Sequence, residues 1–281
     1  MTYRSLLVHL DQDAQCAQRV QLAIALARRL DCHLVGLAPT GLLDVPAAIT
    51  AETSLAQYSS LAWDLLRDRA DKATQAFRTA CHTAGLKSFE AVVHEAGKAQ
   101  SLTLHAHCSD LALLSQPDPS APGIAAARQL VEEVVMNSAR PTLIVPYAGR
   151  FGTVGESAMV AWDDSREAAR AVSDALPLLR VAKQVQVVSW NEDKQTTRAI
   201  GARLESLHHW LMWQGVSAEV RVEAVVDGVR ISDAILSRAA DLNADLIVMG
   251  AYGHSRWIER VMGGATRGLL DTMTAPTLMS H

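Results

Sequence analysis

The sequence predicts an α/β protein with parallel sheets and helices on both faces, built twice in one chain. Two observations carry this. Short apolar runs alternate with longer segments of helical periodicity across the 281 residues, and such alternation yields parallel strands joined by crossover helices. The second half also repeats the first. Asp110 and Asp245 lie 135 positions apart, as do Pro141 and Pro276, within the paired segments SDLALLS/ADLIVMG and RPTLIVP/APTLMSH. The starts match too, LLVHLDQD (6–13) against AMVAWDDS (158–165). At roughly 150 residues per domain the length suits about two domains. These run over 1–147 and 156–281, with the glycine-rich, aperiodic YAGRFGTVGE (147–156) as linker.

In the first copy, residues 5–10 form a short apolar run ended by Asp11, hence a buried strand. Residues 14–30 carry Val20, Leu22, Ile24, Ala25 and Leu30 at helical spacing. A strand at 33–37 follows, then a long amphipathic helix at 55–84 stopped by Gly85. The copy finishes with a strand at 88–94, a short helix at 99–108, a strand at 111–114, a helix at 123–137 and a strand at 142–145. The second copy places strands at 157–162, 184–190, 217–225, 245–249 and 277–280, separated by helices at 166–181, 196–214, 229–243 and 257–274. Crossovers of this kind are right-handed. Ligands of doubly wound sheets sit outside the C-terminal strand ends, where strand order reverses. The informative residues therefore follow strands one and four.

Composition narrows the function. Hydrophobic residues make up 49% and charged residues 20%, an ordinary globular balance. With 26 basic and 30 acidic residues the net charge is -4, which argues against nucleic acid or an anionic membrane surface as partner. No run approaches the roughly 20 apolar residues of a membrane helix, and the run at 5–10 is too short for a signal peptide. Cys16, Cys32, Cys81 and Cys108 contain no CxxC and read as free thiols of a cytoplasmic protein.

The strand-four region of the second copy reads MGAYGHSRWIERVMGGATRGLL (249–270). Gly250, Gly253 and Gly263 follow a G-x2-G-x9-G spacing, and Gly264, Ala265 and Thr266 open a helix. Glycine lets backbone approach a ligand closely, and N–H groups at a helix start attract phosphate. A tight turn with close helix packing explains the same glycines equally well. His254 and Arg256 lie inside the loop as candidate phosphate contacts.

The glycine spacing at a fourth strand, DLIVMG, the closing APTL strand and Asp163 after the first strand together resemble the universal stress protein family, in two tandem copies spanning nearly the whole chain. The resemblance implies two Rossmann-like domains of the adenine nucleotide alpha hydrolase-like type, each a five-stranded parallel sheet of order 3-2-1-4-5. It implies ATP or another adenine nucleotide as ligand, with or without Mg, and Asp163 as a contact to adenine or ribose. It also implies pairing through fifth strands, here within one chain, 142–145 antiparallel to 277–280; a further homodimer is compatible with it. The family's Ser/Thr after the third glycine is Gly264 here, which removes a hydroxyl; Thr266 offers one from the same turn. A lost neutral hydrogen bond costs about 0.5–1.5 kcal/mol, roughly tenfold in affinity at most.

The first copy lacks the loop. The offset maps the three glycines onto Ser115, Asp118 and Arg128, and SQPDPSAPG (115–123) carries three prolines and an acid. Proline removes N–H donors and Asp118 repels phosphate, so this copy is expected not to bind nucleotide in the family manner and to be structural or regulatory, although Asp11 matches Asp163. His105, His107 and Cys108 have poor helical spacing for a metal, and His208 and His209 diverge on their helix. No GxSxG, HExxH or GxxxxGK[ST] occurs, so a nucleotide-sensing, non-catalytic role is expected. The alternatives are an interaction scaffold with a decayed site and a slow ATPase.

Overall fold

The computed structural model describes residues 2–41, 55–191, 197–225, 228–253 and 264–281. Its chain divides into two compact units, one of Tyr3–Ser115 with Ala125–Arg140, the other of Gln116–Ile124 with Pro141–His281. The division does not follow the sequence copies: the first copy's proline-rich loop and last strand belong to the second unit.

In the first unit, β1 (Ser5–His9) is followed by α1 (Cys16–Leu30), β2 (His33–Pro39), α2 (Leu55–Thr83), β3 (Phe89–His94), α3 (Lys98–Ala106), β4 (Leu111–Ser115) and α4 (Ile124–Asn137). β1 pairs in parallel with β2 on one side and β4 on the other, and β2 pairs with β3. Leu6, Leu7, Val8, Leu34, Leu37, Leu111 and Leu113 are buried, as parallel strands covered on both faces require. Gly36 has a packing reason: a Cβ there would stand 2.8 Å from the Phe77 ring of α2.

The second unit contains β5 (Thr142–Val145), β6 (Ser157–Ala161), α5 (Arg166–Leu179), β7 (Gln184–Asn191), α6 (Thr197–Trp213), β8 (Glu219–Ala224), α7 (Ile231–Asp241), β9 (Leu246–Gly250), α8 (Gly264–Thr272) and β10 (Thr277–Ser280). Its parallel ladder runs β8-β7-β6-β9-β10, the order 3-2-1-4-5. β5 joins antiparallel to β10, with Leu143 opposite Leu278. Where described, element ends differ from the expected ones by at most two residues, which is ordinary fraying of terminal turns. The expected helix at 257–274 is described only from Gly264.

The aspartates that revealed the repeat do the same work in both copies. Asp110 accepts the backbone N–H groups of Arg4 and Ser5 at 2.6 and 2.9 Å. Asp245 accepts those of Gly155, Glu156 and Ser157 at 3.0, 3.1 and 2.9 Å, and the Thr153 hydroxyl at 2.9 Å. Each carboxylate thus pins the start of strand one to the start of strand four. The segment expected as a linker is accordingly anchored over its last four residues, with Val154 buried.

Candidate functional site

β6 and β9 are neighbours, with Ala161 opposite Met249. Asp163 and Gly250 therefore leave the sheet side by side at its C-terminal edge, where the strand order reverses. Asp163 Oδ1 accepts the Ser165 N–H at 3.1 Å and the Ser165 hydroxyl at 2.6 Å, an Asx turn that sets the entry to α5. Ser165 Oγ then accepts the Ala168 N–H at 3.0 Å and caps the helix. Asp164 adopts a left-handed backbone, φ 61°, and pairs with Arg203 of α6 at 2.5 Å. Beside Asp163, the Trp162 indole N–H is buried and has no hydrogen-bond acceptor among the described residues.

The two described glycines of the loop face α5. A Cβ on Gly250 would stand 2.6 Å from the Ala168 backbone nitrogen, and one on Gly253 would stand 2.7 Å from Glu167 Oε2. Close packing of strand end on helix thus demands glycine at 250, whatever else the loop does. Thr266 is buried, and its Oγ1 accepts the Tyr252 N–H at 3.2 Å. That bond ties the start of α8 to the end of β9. Gly264 and Ala265 open α8, both half-buried. His254, Arg256 and Gly263 lie outside the described residues. The structure therefore brings Asp163, Gly250, Gly253 and Thr266 to one end of the sheet.

Sequence reading missed Glu167. It is buried at 4% exposure in the first turn of α5, with Oε1 accepting Arg166 Nε at 2.5 Å. Burial pushes its pKa up, but the Arg166 hydrogen bond, its own backbone N–H and the charges of Arg166 and His281 outweigh that, so it is held below the usual carboxylate range. A Glu two residues after a helix cap looks like an ordinary first-turn acid, so nothing local distinguishes it.

The equivalent strand ends of the first unit are arranged differently. Arg19 of α1 is buried at 1% exposure. Its guanidinium donates to the His9 carbonyl at 2.8 Å, to Asp11 Oδ2 at 2.8 Å and to the Ser115 hydroxyl. Asp11 Oδ1 accepts the Asp13 N–H at 3.1 Å, so both Asp11 oxygens are engaged. Burial pushes the Asp11 pKa up, yet Arg19, His9 and the hydrogen bonds bring it below the ordinary carboxylate value. The His9 ring lies 3.4 Å from Asp11 through Nδ1. Burial, opposed by Asp11, pushes its pKa down to about 4. One sequence signal for Arg19 existed: it stands at helical spacing from buried Leu22, Ala23 and Leu26, a charged residue on an apolar face.

The remaining residues settle simply. Asp118 closes a turn on Ser120, accepting its N–H at 2.8 Å and its hydroxyl at 2.7 Å. His105 packs edge-on against His94, ring centres 5.1 Å apart. Among the described residues no group of His, Cys, Asp and Glu is arranged to hold a metal. Cys32 and Cys81 are buried free thiols, pushed by burial to pKa values of about 11. Trp190 is in the core, whereas Trp213 is 81% exposed. No described helix is long and apolar enough to cross a membrane.

Residues 156–281 match the sequence model of the universal stress protein family. No curated protein matches the chain closely. Among solved structures, a universal stress protein from Archaeoglobus fulgidus DSM 4304 is similar at 15% identity and a TM-score of 0.71, covering 98% of this chain and 97% of that one. A protein of unknown function from Pseudomonas aeruginosa PAO1 is similar at 17% identity and a TM-score of 0.57, covering 99% of this chain and 92% of that one. At such identities the likeness shows the shared fold.

Proposed function

We propose that this chain, whose residues 156–281 form a universal stress protein domain, binds one adenine nucleotide at the ends of β6 and β9. The ligand is ATP or a relative of it, with or without Mg, and binding serves regulation rather than turnover. The observation that carries this reading is the meeting of Asp163, the glycine strand end and the start of α8, tied to β9 by the Thr266 hydroxyl, at the point where strand order reverses, the usual ligand position of doubly wound sheets. Asp163 contacts the base or sugar, and the backbone of Gly253, Gly264 and Ala265 approaches the phosphates. His254, Arg256 and Gly263 join them in the same reading. The first copy binds no nucleotide this way, because Arg19 already engages Asp11 and Ser115. An intrachain pairing of the copies through their fifth strands belongs to the proposal, supported by the β5–β10 ladder; a homodimer of chains is compatible with it.

One observation favours a second reading, an interaction scaffold with a decayed site: Gly250 and Gly253 already have packing reasons to be glycine. The test is to denature purified protein, identify released small molecules by mass, and titrate adenine nucleotides calorimetrically into wild type and Asp163→Ala. One nucleotide per chain, bound about tenfold more weakly by the variant, is the expected result. Two per chain would overturn the silence of the first copy. No binding at millimolar nucleotide would leave the scaffold reading.

A further inference from the structure

β8 closes one end of the parallel ladder of the second unit; among the described residues it pairs only with β7. Which of its backbone groups face outward follows from β7. The Val188 carbonyl accepts the Trp162 N–H at the end of β6, and alternate residues of a strand bond to opposite neighbours. Val187, Ser189 and Asn191 therefore face β8, where they stand opposite Val220, Val222 and Ala224. Slanted parallel bonds join each to the residues flanking its partner, so Glu219, Arg221 and Glu223 bond β7. Val220, Val222 and Ala224 turn their N–H and C=O groups outward, and no described residue bonds them. The other edge strand, β3, differs: Arg78 of α2 donates to its Ala91 carbonyl at 3.1 Å.

An edge lined by charge of one sign keeps copies apart. Glu219, Arg221 and Glu223 instead alternate in sign on one face of β8. We propose that β8 pairs antiparallel with β8 of a second copy of this chain, across a two-fold axis at Val222. Val222 then meets its own equivalent and Val220 meets the partner's Ala224, outward residues that exchange both N–H···O=C bonds. Arg221 stands opposite the partner's Glu223, and Glu223 opposite the partner's Arg221. Arg221 has only a 3.5 Å contact with Glu219 to give up. Glu223 is steadied by Arg238 at 2.9 Å through Oε1, and a carboxylate has a second oxygen to offer. An axis at Arg221 would set Arg221 against itself and Glu219 against Glu223, so charge excludes it. An axis at Val220 would engage only 219–221 of the strand, whereas Val222 engages 220–224. α6, the helix packed against β8, leaves Met212 and Trp213 exposed just before the strand begins, apolar area available to the partner.

Analytical ultracentrifugation over a concentration series, without nucleotide, reads the association. Wild type is expected to dimerise. Arg221→Glu and Glu223→Arg each oppose like charges at both pairs and should weaken the dimer at least about tenfold. Mixing the two variants opposes unlike charges again, so the mixture should dimerise as wild type does. Val222→Pro removes an outward N–H, leaves the ladder to β7 intact, and should abolish the dimer in a chain that still unfolds cooperatively. A wild type that stays monomeric overturns the pairing. So do dimers that survive Arg221→Glu and Val222→Pro, and so does a mixture of folded charge variants that stays monomeric. Should Glu223→Arg not fold, the other two variants still decide. None of these outcomes touches the nucleotide reading, which calorimetry tests separately.

Discussion

The same turn closes strand one in both halves, and the two halves use it to hold opposite charges. Asp11 accepts the N–H of Asp13 at 3.1 Å, and Asp163 accepts the N–H of Ser165 at 3.1 Å. Beyond that turn the copies part. At matching positions the first has Gln15 and Arg19 where the second has Glu167 and Ala171. In the first, a buried guanidinium reaches across to Ser115 and occupies the strand ends. In the second, the matching strand end is Gly250, packed against the backbone of α5, and a carboxylate lies on the next glycine. One crevice is filled by its own cation; the other keeps an exposed Asp163 beside its own anion. The two halves share the turn, and a few different residues set the charge that stands at each strand end.

The largest test of this contrast is Arg19→Ala. It strips three hydrogen bonds from a buried guanidinium and leaves the half-buried Asp11 carboxylate without its cation, so unfolding in urea should show a loss of about 3 kcal/mol. The matching side chain in the second half, Ala171, is already that small. A loss below about 1 kcal/mol would mean that the Arg19 cluster does not hold the first unit together.

Gly250→Ala probes the other half. The added Cβ meets the Ala168 backbone at 2.6 Å, which no rotamer relieves. Stability should drop by about 1–3 kcal/mol even without nucleotide. Gly253→Ala should cost less, because the Glu167 side chain can turn away. Equal effects would sink the packing account.

Acid should distinguish the halves through His9. Burial lowers its folded-state pKa from the ordinary 6.5 to about 4, so the unfolded chain binds the proton more readily. This stability is complete above pH 6.5 and is lost as pH falls towards 4, with about 2 kcal/mol gone between pH 7 and pH 5. Asp11, lowered likewise, adds a loss in the same direction at more acid pH. The second half has Ala161 at the matching position. Urea midpoints of wild type and His9→Ala at pH 7 and pH 5 check this; an undiminished pH effect in the variant would place the titration elsewhere.

The smallest contrast is at the caps. Ser165→Ala removes a capping bond and should cost about 1 kcal/mol. Gln15 of α1 makes no side-chain cap, so Gln15→Ala should change thermal stability much less.

Most of the fold was legible because its signals are local. Apolar runs, helical periodicity and the glycine stop at Gly85 each act over a few residues, and the repeat adds a second reading of each element. Asp110 and Asp245 showed as anchors of the repeat, though their grip on strand one is a long-range fact. The site was half legible. Asp163 and the glycine spacing could be read directly, but whether a glycine serves a ligand or a neighbouring helix depends on what stands 2.6 Å away.

The α/β class and the element order could be read from the order of residues alone, as could the absence of the G-x2-G-x9-G spacing from the first half. Periodicity and spacing are written along the chain, and burial rules convert them into strands and helices. Three features emerge from the folded chain and not from its residue order: Arg19 bridges to Ser115, 96 residues away, Glu167 lies against Gly253, and 142–145 groups with the second unit. Those outcomes depend on which side chains meet across the fold, where burial makes an unpaired charge costly and each charge therefore finds a partner.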